Sequence, residues 1–199
     1  MSVQSGHTEY DHPLAVKITH HTHWISMVAL VVSGLYIHYP WAGGLMDPMR
    51  YIHFVAMYVL AATFVVRIYY ALFGTHRDIS LFLPQKENKG TLFKMIKYYL
   101  FIQKEHPATA KFNPLQKATY NLWSLLLVLQ GLTGFALYWP QSAYFEWFVN
   151  LSGGLPTVRL LHFAIMWLFI VTSLIHVYLT FAEDFASFKL MFFLRKAVK

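Results

Sequence analysis

The sequence predicts an all-α integral membrane protein, a four-helix bundle with both termini on the cytoplasmic side. Three observations predict it. The apolar residues collect in four long blocks, charged residues are scarce, and the lysines and arginines are sharply divided between the two sides that those blocks define.

Of 199 residues, 57% are hydrophobic and only 13% are charged. A soluble domain carries about 25% charged residues, roughly twice this share. Cysteine is absent. That excludes disulfides, iron–sulfur clusters, thiolate-held metals and haem attached through a C-x-x-C-H motif. A redox centre would have to be a non-covalent cofactor, and the eleven histidines are the ligands on offer. The net charge of +7 gathers on one side of the apolar blocks, which argues against nucleic acid as a partner. No secretory signal is expected, because a polar, His-rich stretch precedes the first apolar block.

The blocks run over about residues 18–39, 51–73, 119–139 and 160–181. Each is near the ~20 residues that a helix needs to cross the hydrocarbon core. Backbone groups in lipid must be satisfied within the segment, which selects helix, and barrel strands lack such continuous apolar runs. Two further helices are expected on the membrane surface, at about 92–104 and 186–196. In the first, Lys94, Lys97 and Lys104 oppose Leu92, Ile96, Tyr99 and Leu100; an interfacial helix or one docked on a partner fits this pattern. The stretches YPWAGGLMDP and LSGGLP read as turns. Residues 1–199 form a single domain without internal repeats.

Orientation follows from the cations. Arg77, Lys86, Lys89, Lys94, Lys97, Lys104, Lys111 and Lys117 lie between the second and third blocks. Lys17 precedes the first block, and Lys189, Arg195, Lys196 and Lys199 follow the fourth; only Arg50 and Arg159 fall on the other face. The positive-inside rule puts the long loop and both termini in the cytoplasm.

Ionisable side chains at membrane depth are costly and mark function. His162 and His176 stand 14 positions apart on the fourth block, ~21 Å along a helix and within about 40° of the same face. Alternating topology sets His53 level with His162 near the outer side, and His20 level with His176 near the inner side. Two imidazole pairs at matched depths inside a bundle suit two haem irons. With both axial positions filled, such centres favour electron transfer over oxygen chemistry. His23 shares the face of His20 and rivals it as a ligand; His21 and His38 are further rivals. For His162 and His176 the plain alternative is two buried histidines bonded to backbone or to Ser and Thr hydroxyls.

Particular stretches carry a family likeness across nearly the whole chain. PLAVKITHH, RYIHFVAMYVL, VVRIYYALFG, FNPLQKATY, LTGFALYWP and LLHFAIMWLFIVTSLIHVYLTFAEDF resemble the cytochrome b subunit of membrane-bound nickel–iron hydrogenases. That family is related to the gamma subunits of respiratory formate dehydrogenases. The resemblance selects His20 over His23. It implies two haem b groups, an inner one on His20 and His176 and an outer one on His53 and His162. It further implies hydrogenase small (iron–sulfur) and large subunits on the outer face, and menaquinone or another quinone as acceptor near the inner haem. The chain departs from the pattern at His21, where the family usually has Trp, and in a shorter, more apolar tail after Glu183 and Asp184.

Lys17 and Arg67 toward the inner side, and Arg50 and Arg159 toward the outer, are candidates for haem propionate or quinone contacts; snorkelling to lipid phosphate is the competing use. Asn113-Pro-Leu-Gln116 resembles a quinone-site pattern of formate dehydrogenase gamma subunits, but Asn before Pro is also an ordinary helix start. Gly34, Gly131 and Gly134 suit close approach of a macrocycle or of another helix. Trp41, Trp139 and Trp147 suit an outer aromatic belt.

The expectation is therefore an electron-carrying anchor in a bacterial or archaeal cytoplasmic membrane, without independent catalysis apart from quinone reduction. The same role beside a formate dehydrogenase or another molybdenum enzyme is the nearest alternative. A His-based metal or proton transporter is the alternative of another class, weakened because no carboxylate lies inside the four blocks.

Overall fold

A computed structural model describes residues 13–74, 89–99, 102–105, 107, 114–183 and 185–192. Every regular element among them is helical: α1 (Leu14–His38), α2 (Met46–Phe73), α3 (Lys89–Tyr99), α4 (Pro114–Tyr138), α5 (Ala143–Leu151), α6 (Leu155–Glu183) and α7 (Phe185–Phe192). Three are long and apolar enough to cross a membrane, over Met46–Phe73, Lys117–Tyr138 and Leu155–Ala182. Helix α1 has 25 residues, but Lys17, His20, His21 and His23 in its front half lower its apolarity below theirs.

The long helices begin about one turn before their apolar blocks. Helix α2 starts at Met46, ahead of Tyr51, and α6 at Leu155, ahead of Leu160. Hydropathy reads only the part immersed in hydrocarbon, whereas backbone hydrogen bonding continues into the headgroup region. Their outward surfaces are apolar and bare: Val65 is 65% exposed, Leu174 65% and Tyr178 68%. A water-facing helix would bury such a stripe, while lipid is as apolar as the side chains themselves.

Helix α1 packs chiefly on α2, and α4 chiefly on α6. Leu126 of α4 with Ile165 and Phe169 of α6 form a core inside the second pair, and Met27 of α1 packs against it from the first. A second cluster, Ala136, Val149 and Val158, ties α5 to the C-terminal end of α4 and the N-terminal end of α6. Helix α5 was not expected from the sequence, where hydropathy merges it with the surrounding turns. Ser142 caps its start by accepting from Tyr144 N–H at 3.4 Å. Its exit requires glycine, because Gly153 and Gly154 have φ of 89° and 103°. There Gly154 N–H reaches back to the Val149 carbonyl at 2.8 Å, the six-to-one closure of a helix end. The turn between α1 and α2 is closed by the Tyr36 hydroxyl, which donates to the Ala42 carbonyl.

Helix α3 docks on α4. Among its described side chains Met95 is buried, outside the Leu92–Ile96 face read from the sequence, and Ile96 is exposed. The reading from charge placement located the polar side of this helix but could not see the α4 surface that selects its buried side. Helix α7 folds back on α6, with Phe188 stacked between Phe181 and Phe192.

Candidate functional site

The two histidines expected from the sequence to form the outer pair come together. His53 on α2 and His162 on α6 have ring centres 6.5 Å apart, and both are half-buried. A metal–imidazole bond is about 2 Å, so two imidazoles sharing one ion stand roughly 6 Å apart between centres.

Each ring is gripped from the neighbouring helix. Ser33 Oγ on α1 lies 2.9 Å from His53 Nδ1, and Thr133 Oγ1 on α4 lies 2.9 Å from His162 Nδ1. The hydroxyl protons are used elsewhere. Ser33 donates to the Ala29 carbonyl at 2.6 Å, and Thr133 to the Leu129 carbonyl at 2.9 Å. Each hydroxyl therefore accepts from its imidazole, which places the ring proton on Nδ1 and leaves Nε2 with its lone pair. That is the nitrogen a metal needs. Gln130 Nε2 lies 3.1 Å from His162 Nε2, as a donor to that lone pair, and would have to move aside for a metal. The other end of the amide, Gln130 Oε1, is buried with no hydrogen-bond partner among the described residues. A glycine follows each hydroxyl residue. A Cβ on Gly34 would lie 3.3 Å from His53 Cε1, and one on Gly134 would lie 3.2 Å from His162 Cε1. These two glycines thus admit the imidazoles, whereas a Cβ on Gly131 would meet nothing within 4 Å.

The inner histidines have other neighbours. Among the described residues, the ring contacts of His20 are with His21 (5.9 Å) and Phe192 (6.2 Å). His176 meets Trp123 edge-on at 5.3 Å, and Trp123 in turn donates to Thr172 Oγ1 at 2.8 Å. His21 is turned away into the Lys17 carbonyl at 2.7 Å. The rival His23 bonds the Thr63 backbone and lies beside Arg67; its Nε2 is buried with no hydrogen-bond partner among the described residues. His23 therefore keeps a nitrogen fit for a ligand. His38 stacks on Phe163 at 4.4 Å, outside the imidazole pair.

The other candidates fall as follows. Lys17 is buried and Arg67 half-buried toward the inner end. Arg50 and Arg159 are exposed, and each stands one turn before an outer histidine, on the same helical side. Asn113 lies outside the described residues; Gln116 is in the first turn of α4, and its side chain is also outside the description. Trp41, Trp139 and Trp147 are all exposed. Sequence reasoning missed Ser33, Thr133 and Gln130. The signal available was a hydroxyl–glycine step, Ser33-Gly34 and Thr133-Gly134, repeated on two apolar helices.

The sequence profile described as prokaryotic cytochrome b561 matches residues 11–193. The chain belongs to this family. Among its relatives is the probable Ni/Fe-hydrogenase B-type cytochrome subunit of Azotobacter vinelandii, 34% identical over 188 residues, which are 83% of this chain and 78% of the relative. The protein of the same description from Cupriavidus necator is 30% identical over 195 residues, covering 88% and 80%. The probable Ni/Fe-hydrogenase 1 B-type cytochrome subunit of Escherichia coli is 29% identical over 188 residues, covering 83% and 80%. Membership in the cytochrome b561 family makes the chain a membrane protein and implies haem b. The donor set around His53 and His162 fits that cofactor: two imidazoles with Nε2 lone pairs and, among the described residues, no carboxylate beside them.

Proposed function

We propose that this chain is the membrane anchor and electron-transfer subunit of a nickel–iron hydrogenase, taking electrons from the iron–sulfur subunit and delivering them to a membrane quinone. Haem b supplies reversible one-electron chemistry when bound. Four membrane-crossing helices, α1, α2, α4 and α6, would hold two such groups, with both termini cytoplasmic. His53 and His162 are the proposed ligands of the outer haem, and His20 and His176 those of the inner. His20 is preferred to His23 on its match to the family's opening pattern.

The observation that carries this reading is the outer pair. Its two imidazoles share the tautomer that exposes Nε2, at a separation suited to one iron, in a chain of the cytochrome b561 family. Arg50 and Arg159 would offer cations to propionates on the outer side, Lys17 and Arg67 on the inner. Gln116 and Asn113 remain the proposed quinone contacts, supported by their likeness to the quinone-site pattern of formate dehydrogenase gamma subunits. The named relatives support the hydrogenase small and large subunits as partners, with menaquinone the proposed acceptor.

The purified complex, oxidised and then reduced, should show haem b bands, and hydrogen should drive quinone reduction. Absence of the bands, or reduction by formate in place of hydrogen, would overturn the corresponding part of this assignment.

A further inference from the structure

We infer that Ser33 and Thr133 are positioning residues that fix the two outer imidazoles and, through their hydrogen bonds, hold down the reduction potential of a haem bound there. This rests on the reading of His53 and His162 as axial ligands.

Back-bonding by a hydroxyl to the carbonyl one turn earlier is ordinary in apolar helices. Thr19, Thr63, Thr119, Thr172 and Thr180 all do it here. Ser33 and Thr133 differ in what reaches their lone pairs. They are 0% and 2% exposed, and each accepts an imidazole N–H from the partner helix at 2.9 Å. The two helix pairs reach this arrangement separately, with the same residue order and a glycine against the same Cε1 atom.

An N–H···O bond from the far nitrogen makes an imidazole a stronger donor to its metal and fixes its rotation. A stronger donor favours the oxidised, more positive iron, so the potential falls. Donation by the hydroxyl to the carbonyl one turn earlier increases its strength as an acceptor. On the inner side Thr172 receives the Trp123 indole N–H, and His176 packs against that indole. At His176 the nearby threonine is thus engaged by tryptophan and not by the imidazole.

The test is potentiometry with electron paramagnetic resonance on the purified full-length protein, comparing Ser33→Ala and Thr133→Val with Ser33→Thr and Thr133→Ser. A hydrogen bond worth about 1 kcal/mol shifts the ratio of reduced to oxidised haem roughly fivefold; a tenfold shift is about 59 mV for one electron. Each removal should raise the potential of one haem by that order and move its g values, leaving the other haem unchanged. The conservative variants should keep the native potential. Loss of haem from Thr133→Val but not from Thr133→Ser also supports the hydroxyl. Unmoved potentials in haem-replete Ser33→Ala and Thr133→Val overturn the inference alone, as does equal haem loss in Thr133→Val and Thr133→Ser. Retention of both haems in His53→Ala would instead overturn the ligand reading beneath it.

Discussion

Single atoms decide the outer site. A Cβ at Gly134 would press on His162 Cε1, whereas one at Gly131 enters open space. Gly134→Ala should displace the imidazole by a few tenths of an ångström and lower haem content. Gly131→Ala should bind haem normally and gain stability, because alanine is better than glycine in a helix by about 0.5–1 kcal/mol. Absorbance per protein and thermal melting would measure both; equal behaviour of the two variants would contradict the contact. At the inner site, His176→Ala should halve the extractable haem b and abolish quinone reduction while the outer haem stays reducible from the donor side. Two haems per chain in that variant would mean that His176 is not a ligand. The histidines were legible as residues because they break apolar blocks at helical spacing. Ser33 and Thr133 were not, because polar helix residues of their kind usually serve their own backbone.

At the level of elements, the layer formed by Leu126, Ile165 and Phe169 lies between the heights of His162 and His176 on α6. It joins α4 to α6 and receives Met27 of α1, and is thus one of the contacts between the two helix pairs, beside His53 against His162. Phe169→Ala should cost about 3–5 kcal/mol, as truncation of a buried aromatic does. It should also loosen both haem sites, since each is built across the same junction. Thermal unfolding of the haem-loaded protein in detergent would show this; an unchanged melting temperature would mean that the layer does not hold the pairs together. The long helices were legible from hydropathy alone, but α5 was not. Its nine residues are too short for a period to stand out beside longer apolar blocks, and its position depends on Val149 finding Ala136 and Val158.

For the whole molecule, the charge asymmetry makes a topological prediction. The sequence has no cysteine, so introduced thiols report cleanly. Lys104 and Gln141 are both exposed and are proposed to lie on opposite sides of the membrane. In intact spheroplasts a membrane-impermeant maleimide should label Gln141→Cys and leave Lys104→Cys unlabelled until lysis. Labelling in the reverse order would invert the proposed orientation and with it the direction of electron flow.

The sequence alone determined the helical class and the three helices apolar enough to cross a membrane, and it singled out the histidines within the apolar blocks. These follow from one-dimensional regularities: the length needed to cross lipid, the helical repeat, and the cost of a charge in hydrocarbon. Only the tertiary structure decided which side chains meet across helices. It selected Ser33 and Thr133 as the partners of His53 and His162, set Gln130 beside the free nitrogen, and chose Met95 as a buried residue of α3. Such contacts depend on the rotation of one helix against another, which packing determines and periodicity does not.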